Sequence, residues 1–139
     1  MILGVGTDLV EISRVRQAAE KESFRKLCFT PAELEAAARP EMLADDFAVK
    51  EAVAKALGTG VRGFSLRDIE VLRDPLGKPF VRLYGAVKER CAGTSIHVSI
   101  SNTDTLSMAF AVIEKPEEVP AAPGSAGDPA SVDGLSGQC

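Results

Sequence analysis

The sequence predicts a single α+β domain, a mainly antiparallel sheet packed against helices, and three observations lead there. Apolar residues recur at helical spacing over residues 11–57, two-residue alternation dominates after Ile69, and no segment repeats. Hydrophobic residues make up 45% of the 139-residue chain and charged residues 26%, the balance of a soluble globular protein. A chain of this length buries about two-thirds of its unfolded surface in one core.

Residues 1–7 form an apolar, β-branched strand containing Gly4 and Gly6, with Asp8 near its carboxyl end. Over residues 11–29, Ile12, Val15, Ala19 and Leu27 recur at helical spacing between charges, which predicts one surface helix. Thr30-Pro31-Ala32-Glu33 supplies an N-cap, a Pro at the first helical position and a capping-box Glu, so a short helix starts there and ends near Pro40. Asp45 and Asp46 are placed to cap a third helix over 47–57, which stops at Gly58-Thr59-Gly60. Ile69-Glu70-Val71-Leu72 and Phe80-Val81-Arg82-Leu83-Tyr84 read as strands joined through Asp74-Pro75-Leu76-Gly77, with Pro and Gly where a type I turn favours them. A short helix over 86–91 precedes a hairpin of 96–101 and 106–113.

The 16 Lys+Arg and 20 Asp+Glu give a net charge of −4, and the whole excess lies in residues 116–139. There Glu117, Glu118, Asp128 and Asp133 meet no Lys or Arg, among four Pro, four Gly and no aromatic residue. Such a stretch cannot offset its ordering entropy, so a disordered acidic tail is expected beyond a neutral domain of residues 1–115. A neutral domain with one Tyr and no Trp makes a poor nucleic-acid binder, and none is expected as a partner. Cys28, Cys91 and Cys139 are odd in number and form no C-x-x-C pair, which indicates neither a disulfide framework nor a zinc knuckle. The apolar run 1–5 is too short for a secretory or membrane segment, so a cytoplasmic protein without a membrane partner is expected.

Gly4-Val5-Gly6-Thr7-Asp8 begins like a dinucleotide fingerprint but lacks its third glycine and a βαβ partner strand, which excludes that site. In the third helix only Lys50, Glu51 and Lys55 interrupt a run of apolar residues and alanines. A helix apolar on most sides is buried, so these charges are expected to face a cleft or a partner. Glu51 and Lys55 share a face at i, i+4; as a mere surface pair they would contribute about 0.2–0.5 kcal/mol. His97, the only histidine, shares a strand face with Ser99 and Ser101, a strip suited to phosphate oxygens or to water. Residues 13–26 carry Arg14, Arg16, Lys21, Arg25 and Lys26 against Glu20 and Glu22, a basic helix that is either simply solvated or docks an acidic helix.

Five segments stand in an order and at a spacing that carry more than each does singly. They are Gly4-Val5-Gly6-Thr7-Asp8-Leu9-Val10-Glu11-Ile12, Phe29-Thr30-Pro31-Ala32-Glu33, Phe47-Ala48-Val49-Lys50-Glu51-Ala52-Val53-Ala54-Lys55-Ala56-Leu57-Gly58-Thr59-Gly60, Gly77-Lys78-Pro79 and His97-Val98-Ser99-Ile100-Ser101. Over residues 1–115 the chain resembles the holo-[acyl-carrier-protein] synthase family of 4′-phosphopantetheinyl transferases. The resemblance implies that family's fold, a homotrimer with sites between subunits, and a role in fatty acid biosynthesis. The implied reaction moves the phosphopantetheine arm of coenzyme A to a serine of apo acyl carrier protein and leaves adenosine 3′,5′-bisphosphate.

By the same resemblance Asp8 and Glu51 hold Mg²⁺ and, with Lys55, form the catalytic group. Glu51 takes the serine proton directly or through a metal-bound water, and Lys55 neutralises charge on the pyrophosphate. Lys55, Gly58, Lys78, Pro79, His97 and Ser99 are the implied coenzyme A contacts, and Arg14, Lys21 and Arg25 the implied docking residues for the acidic carrier. Family members often have His where this chain has Asn102 and a basic residue where it has Asp46. These departures leave a second expectation, a non-catalytic carrier-binding module of the same fold that has lost productive coenzyme A binding.

Overall fold

The computed structural model describes residues 1–117; the expected tail falls almost entirely outside them. Strand β1 (Ile2–Glu11) leads into helices α1 (Ile12–Ala18), α2 (Glu22–Cys28), α3 (Pro31–Ala36) and α4 (Pro40–Ala56). A short 3₁₀ turn (Leu66–Asp68) follows, then β2 (Ile69–Arg73), β3 (Pro79–Leu83), α5 (Gly85–Arg90), β4 (Ser95–Asn102) and β5 (Leu106–Glu114). The strands make a three-stranded antiparallel sheet, β1-β5-β4, and a separate antiparallel ribbon, β2-β3. The predicted α+β class with a mainly antiparallel sheet is therefore what the chain forms. Among the described residues no helix is long and apolar enough to cross a membrane.

Helix α4 is the spine of the domain and lies directly on β1. A Cβ on Gly4 would stand 1.9 Å from the Ala56 carbonyl oxygen, and one on Gly6 2.0 Å from that of Ala52. Glycine is required there because helix backbone occupies the space of a side chain. The other side of α4 packs Val49 and Val53 into one core with Ile69, Val81, Val87 and Ile96. A second cluster, built on Ile12, Val15, Phe29 and Leu43, holds α1 and α2 against the start of α4.

Three boundaries differ from the sequence reading. Strand β1 continues to Glu11 because it pairs with all of β5, Glu11 opposite Leu106, so Asp8 lies inside the strand. The single helix expected over 11–29 is two, with the Glu20 and Lys21 N–H groups turned back to Gln17 and Ala18 carbonyls and Lys21 extended. Helix α4 begins at Pro40, not beyond Asp46, because Arg39 is extended ahead of the proline and the proline opens the first turn. Asp45 and Asp46 are consequently not caps but buried residues of the second turn.

Lys50 departs from expectation as well, since it faces neither cleft nor partner. It is fully buried, and its ammonium donates to Glu33 Oε1 (2.8 Å) and to the carbonyls of Leu66 (3.0 Å) and Ile69 (2.5 Å). Burial pushes its pKa down and Glu33 pushes it back up. Glu33 serves twice, because the carboxylate that completes the Thr30 capping box also accepts from Val71 N–H.

Candidate active site

Along β1 the residues Gly4, Gly6 and Asp8 alternate toward α4, and the close backbone contact draws the helix down onto them. Lys55, in the last turn of the helix, then reaches the strand: its ammonium donates to Asp8 Oδ1 (3.0 Å) and to the Thr7 carbonyl (3.0 Å). The Asp8 side chain is 14% exposed and that of Lys55 55%, so the pair sits at the mouth between strand and helix. Glu51 joins them. Burial raises its pKa, the charge of Asp8 raises it further, and Lys55 opposes both.

Asp8, Glu51 and Lys55 thus form one cluster of two carboxylates against one ammonium. An added cation is the natural complement of that imbalance, with Asp8 and Glu51 as its oxygen donors. No group of three or more His, Cys, Asp or Glu side chains gathers to hold a metal among the described residues. A cation here would draw its remaining ligands from phosphate oxygens and water, a pattern that suits a hard divalent ion.

The other expected contacts lie apart from this cluster. Gly58 follows α4 in the left-handed region (φ 78°), where glycine carries no steric cost, and its N–H donates to the Lys55 carbonyl. Arg90 pins the next residue by donating to Thr59 Oγ1 (2.9 Å). Lys78 and Pro79 stand at the turn of the β2-β3 ribbon. His97 and Ser99 pair across β5 with Val112 and Phe110, in the register rows of Val5 and Thr7, on the sheet face opposite Asp8. Within one chain they do not meet Asp8 or Glu51; His97 Nε2 lies 3.0 Å from Glu114 Oε2 instead.

The basic helices divide the expected docking residues. Arg14 and Lys21 line one groove of about 390 Å³ with Gln17, Ala18 and Phe24. A neighbouring groove of about 290 Å³ shares Arg14 and Phe24 and runs to Leu9, next to Asp8 in β1. Arg25 turns away, donates to the Ala19 carbonyl (2.5 Å), and lines a separate cleft with Arg16 and Arg39.

Both departures from the family pattern have partners inside the fold. Asn102 Nδ2 donates to both carboxylate oxygens of Asp45 (3.1 and 3.2 Å), and Ser107 Oγ donates to Oδ1 (2.6 Å). Asp46 meets Arg73, with Nη2 2.9 Å from Oδ1. Asp45, Ser107 and Arg73 have no local signal for these roles, since their partners lie 27 to 62 residues away.

A family model described as the 4′-phosphopantetheinyl transferase superfamily matches residues 4–111. The chain is 45% identical over 122 residues to the holo-[acyl-carrier-protein] synthase of Clostridium novyi (strain NT), which covers 82% of this chain and 88% of that one. It is 43% identical over 126 residues to that of Clostridium perfringens (strain 13 / Type A), covering 82% and 95%. The crystal structure of the holo-[acyl-carrier-protein] synthase from Neisseria meningitidis superposes with a TM-score of 0.76 at 38% identity, covering 83% of this chain and all of the other. The Bacillus anthracis synthase, crystallised in complex with CoA (3′,5′-ADP), gives 0.72 at 32% identity, covering 84% and 99%. Sequence and fold agree, and the chain belongs to the 4′-phosphopantetheinyl transferase superfamily as one of its holo-[acyl-carrier-protein] synthases.

Proposed function

We propose that this chain transfers 4′-phosphopantetheine from coenzyme A to a serine of apo acyl carrier protein, with Mg²⁺, in fatty acid biosynthesis. The observation that carries the reading is the Asp8–Glu51–Lys55 cluster at the mouth between β1 and α4. In the reaction the serine oxygen forms a bond to the β-phosphorus, the bond from that phosphorus to the bridging oxygen breaks, and adenosine 3′,5′-bisphosphate leaves. The serine proton passes to Glu51, directly or through a water. Lys55 leaves Asp8 for the pyrophosphate and offsets the charge that builds on the leaving oxygen. Mg²⁺ held by Asp8 and Glu51 would polarise the pyrophosphate and lower the cost of bringing it near two carboxylates.

Carrier docking is assigned to the groove of Arg14 and Lys21, which presents basic side chains around Phe24 to an acidic helix and leads toward Leu9 and the cluster. Arg25, facing the other cleft, makes a secondary contact. The outer face of the three-stranded sheet supports assembly into the homotrimer. Leu9 and Val5 expose 63% and 58% of their surface beside Met108 and Phe110, one apolar patch that a copy of the chain would cover. His97 and Ser99 share that face, so they reach coenzyme A in a neighbouring subunit's site. The buried Cys28 thiol accords with a cytoplasmic enzyme.

Nothing in the geometry favours the non-catalytic alternative, because Asn102 is hydrogen-bonded to Asp45 and Asp46 is ion-paired with Arg73. Incubation with coenzyme A, Mg²⁺ and an apo carrier should add one phosphopantetheine mass to the carrier, read by intact-mass spectrometry. No gain across fatty-acid and polyketide carriers overturns the proposal.

A further inference from the structure

The inner half of the β2-β3 ribbon is part of the core and its outer end projects from it, and charged groups tie its β2 edge to the helices. Lys50 donates to the Ile69 carbonyl, Val71 N–H donates to Glu33 Oε2, and Arg73 Nη2 stands 2.9 Å from Asp46 Oδ1. Alternate residues of one strand are therefore each held by α3 or α4. The inner two ties act where the strand is already buried. The outer one does not, because Leu72, Arg73 and Phe80 are only half-buried and Leu76 at the tip is 95% exposed. A two-stranded ribbon is marginal on its own and takes its orientation from what it packs against.

The turn at the tip is internally rigid. Asp74 Oδ1 accepts from the Leu76 and Lys78 N–H groups (both 2.9 Å), Gly77 N–H donates to the Asp74 carbonyl (2.9 Å), and Asp74 N–H donates to the Lys78 carbonyl (3.0 Å). It joins the ribbon at its outer end, where Arg73 pairs directly with Pro79. The Asp46 side chain is 3% exposed and that of Arg73 24%, and Asp46 Oδ1 accepts no hydrogen bond, so the attraction of Arg73 is Coulombic and acts on a buried carboxylate. Glu33 and Lys50, the other charges near Asp46, are engaged with each other.

We propose that Asp46 and Arg73 are a positioning pair that seats the 74–79 turn against α4 and thereby sets how Lys78 and Pro79 meet coenzyme A. The pair touches no reacting atom; it fixes one part of the site relative to the helix that carries Glu51 and Lys55. The proposal rests on the reading of Lys78 and Pro79 as coenzyme A contacts. Asp46 is on this reading half of a clamp.

The test uses the full chain at pH 8 as Asp46→Asn, Arg73→Met, the double variant and Arg73→Lys. Without ligand, ¹⁵N relaxation should show the order parameters of the Leu76, Gly77 and Lys78 amides falling from about 0.85 to below about 0.6 in Asp46→Asn and Arg73→Met, with the rest of the domain unmoved. Arg73→Lys keeps the charge and stays near the parent. With coenzyme A and carrier, KM for coenzyme A should rise about tenfold in either single variant with kcat within about twofold. The double variant should be no worse than a single one, since both remove the same pair. Unchanged order parameters, or additive effects on KM, overturn the clamp. An unmoved KM for coenzyme A in variants that are merely less stable overturns it too. Loss of order in the turn together with a parent chain that transfers nothing upholds the clamp and overturns the transferase reading instead.

Discussion

Gly6 of β1 lies so close to Ala52 of α4 that a Cβ on the glycine would stand 2.0 Å from the Ala52 carbonyl oxygen. No rotamer relieves a clash between a Cβ and backbone, so Gly6→Ala must push the helix off the strand. We expect a loss of about 3 kcal/mol in urea unfolding. Turnover should fall with it, because the same displacement parts Asp8 from Lys55 and Glu51. An unchanged urea midpoint would mean that strand and helix are not in backbone contact.

Lys55→Met removes the ammonium between the two carboxylates while keeping most of the side-chain volume. The ion pair with Asp8 is half-exposed and contributes only about 0–1 kcal/mol, so Tm should move by less than about 4 °C. Transfer should slow by about 10²–10³-fold if Lys55 offsets charge in the transition state. Circular dichroism melts beside a turnover assay separate the two effects, and a loss of stability without loss of rate would remove Lys55 from the mechanism.

Lys50→Met leaves the Glu33 carboxylate buried without its counter-charge, and breaking a buried pair from one side costs about 3–5 kcal/mol. The double variant Lys50→Met with Glu33→Gln should recover part of that loss in urea unfolding, because no lone charge remains. Equal stability of Lys50→Met and the parent would contradict the buried network.

Burial raises the Asp46 carboxyl from 3.8 to about 7; Arg73 opposes the rise and Glu33 adds to it. Between those values the folded chain holds a proton that the unfolded chain has lost. The group therefore stabilises the fold fully below its unfolded pKa, and that contribution fades as pH rises through about 7. Asparagine cannot ionise, so the Tm of Asp46→Asn relative to the parent should climb between pH 4 and 7 and level off above. A difference independent of pH would show that Asp46 titrates as an ordinary surface carboxylate.

Much of the fold and the elements that bring Asp8, Glu51 and Lys55 together were legible in the sequence, and the parts that were not share a cause. Thr30 and Glu33 carry a local capping signature, and Asp8, Glu51 and Lys55 stand in motifs whose spacing survives folding intact. The break between α1 and α2 falls on Ala19, Glu20 and Lys21, where no glycine or proline announces it; packing against Phe29 and Leu43 bends the chain there. Asp45 and Asp46 imitate an N-cap, and the true start at Pro40 prevails because its ring fixes the first turn. Alternation placed His97 and Ser99 correctly on one strand face, yet only the register with β5 shows that Asp8 occupies the other. The Glu33–Lys50 and Asp46–Arg73 pairs span 17 and 27 residues, distances at which a sequence carries no local signal.

In the proposed function the two carboxylates and one lysine on β1 and α4 perform the transfer, and substitution of Glu51 tests this most directly. Glu51→Gln keeps the shape of a half-buried residue and removes its capacity to accept a proton. Single-turnover transfer to an apo carrier at saturating coenzyme A and Mg²⁺, followed by intact mass, should slow by at least about 10³-fold in a chain that still melts like the parent. A rate within about tenfold of the parent would remove Glu51 from the transfer.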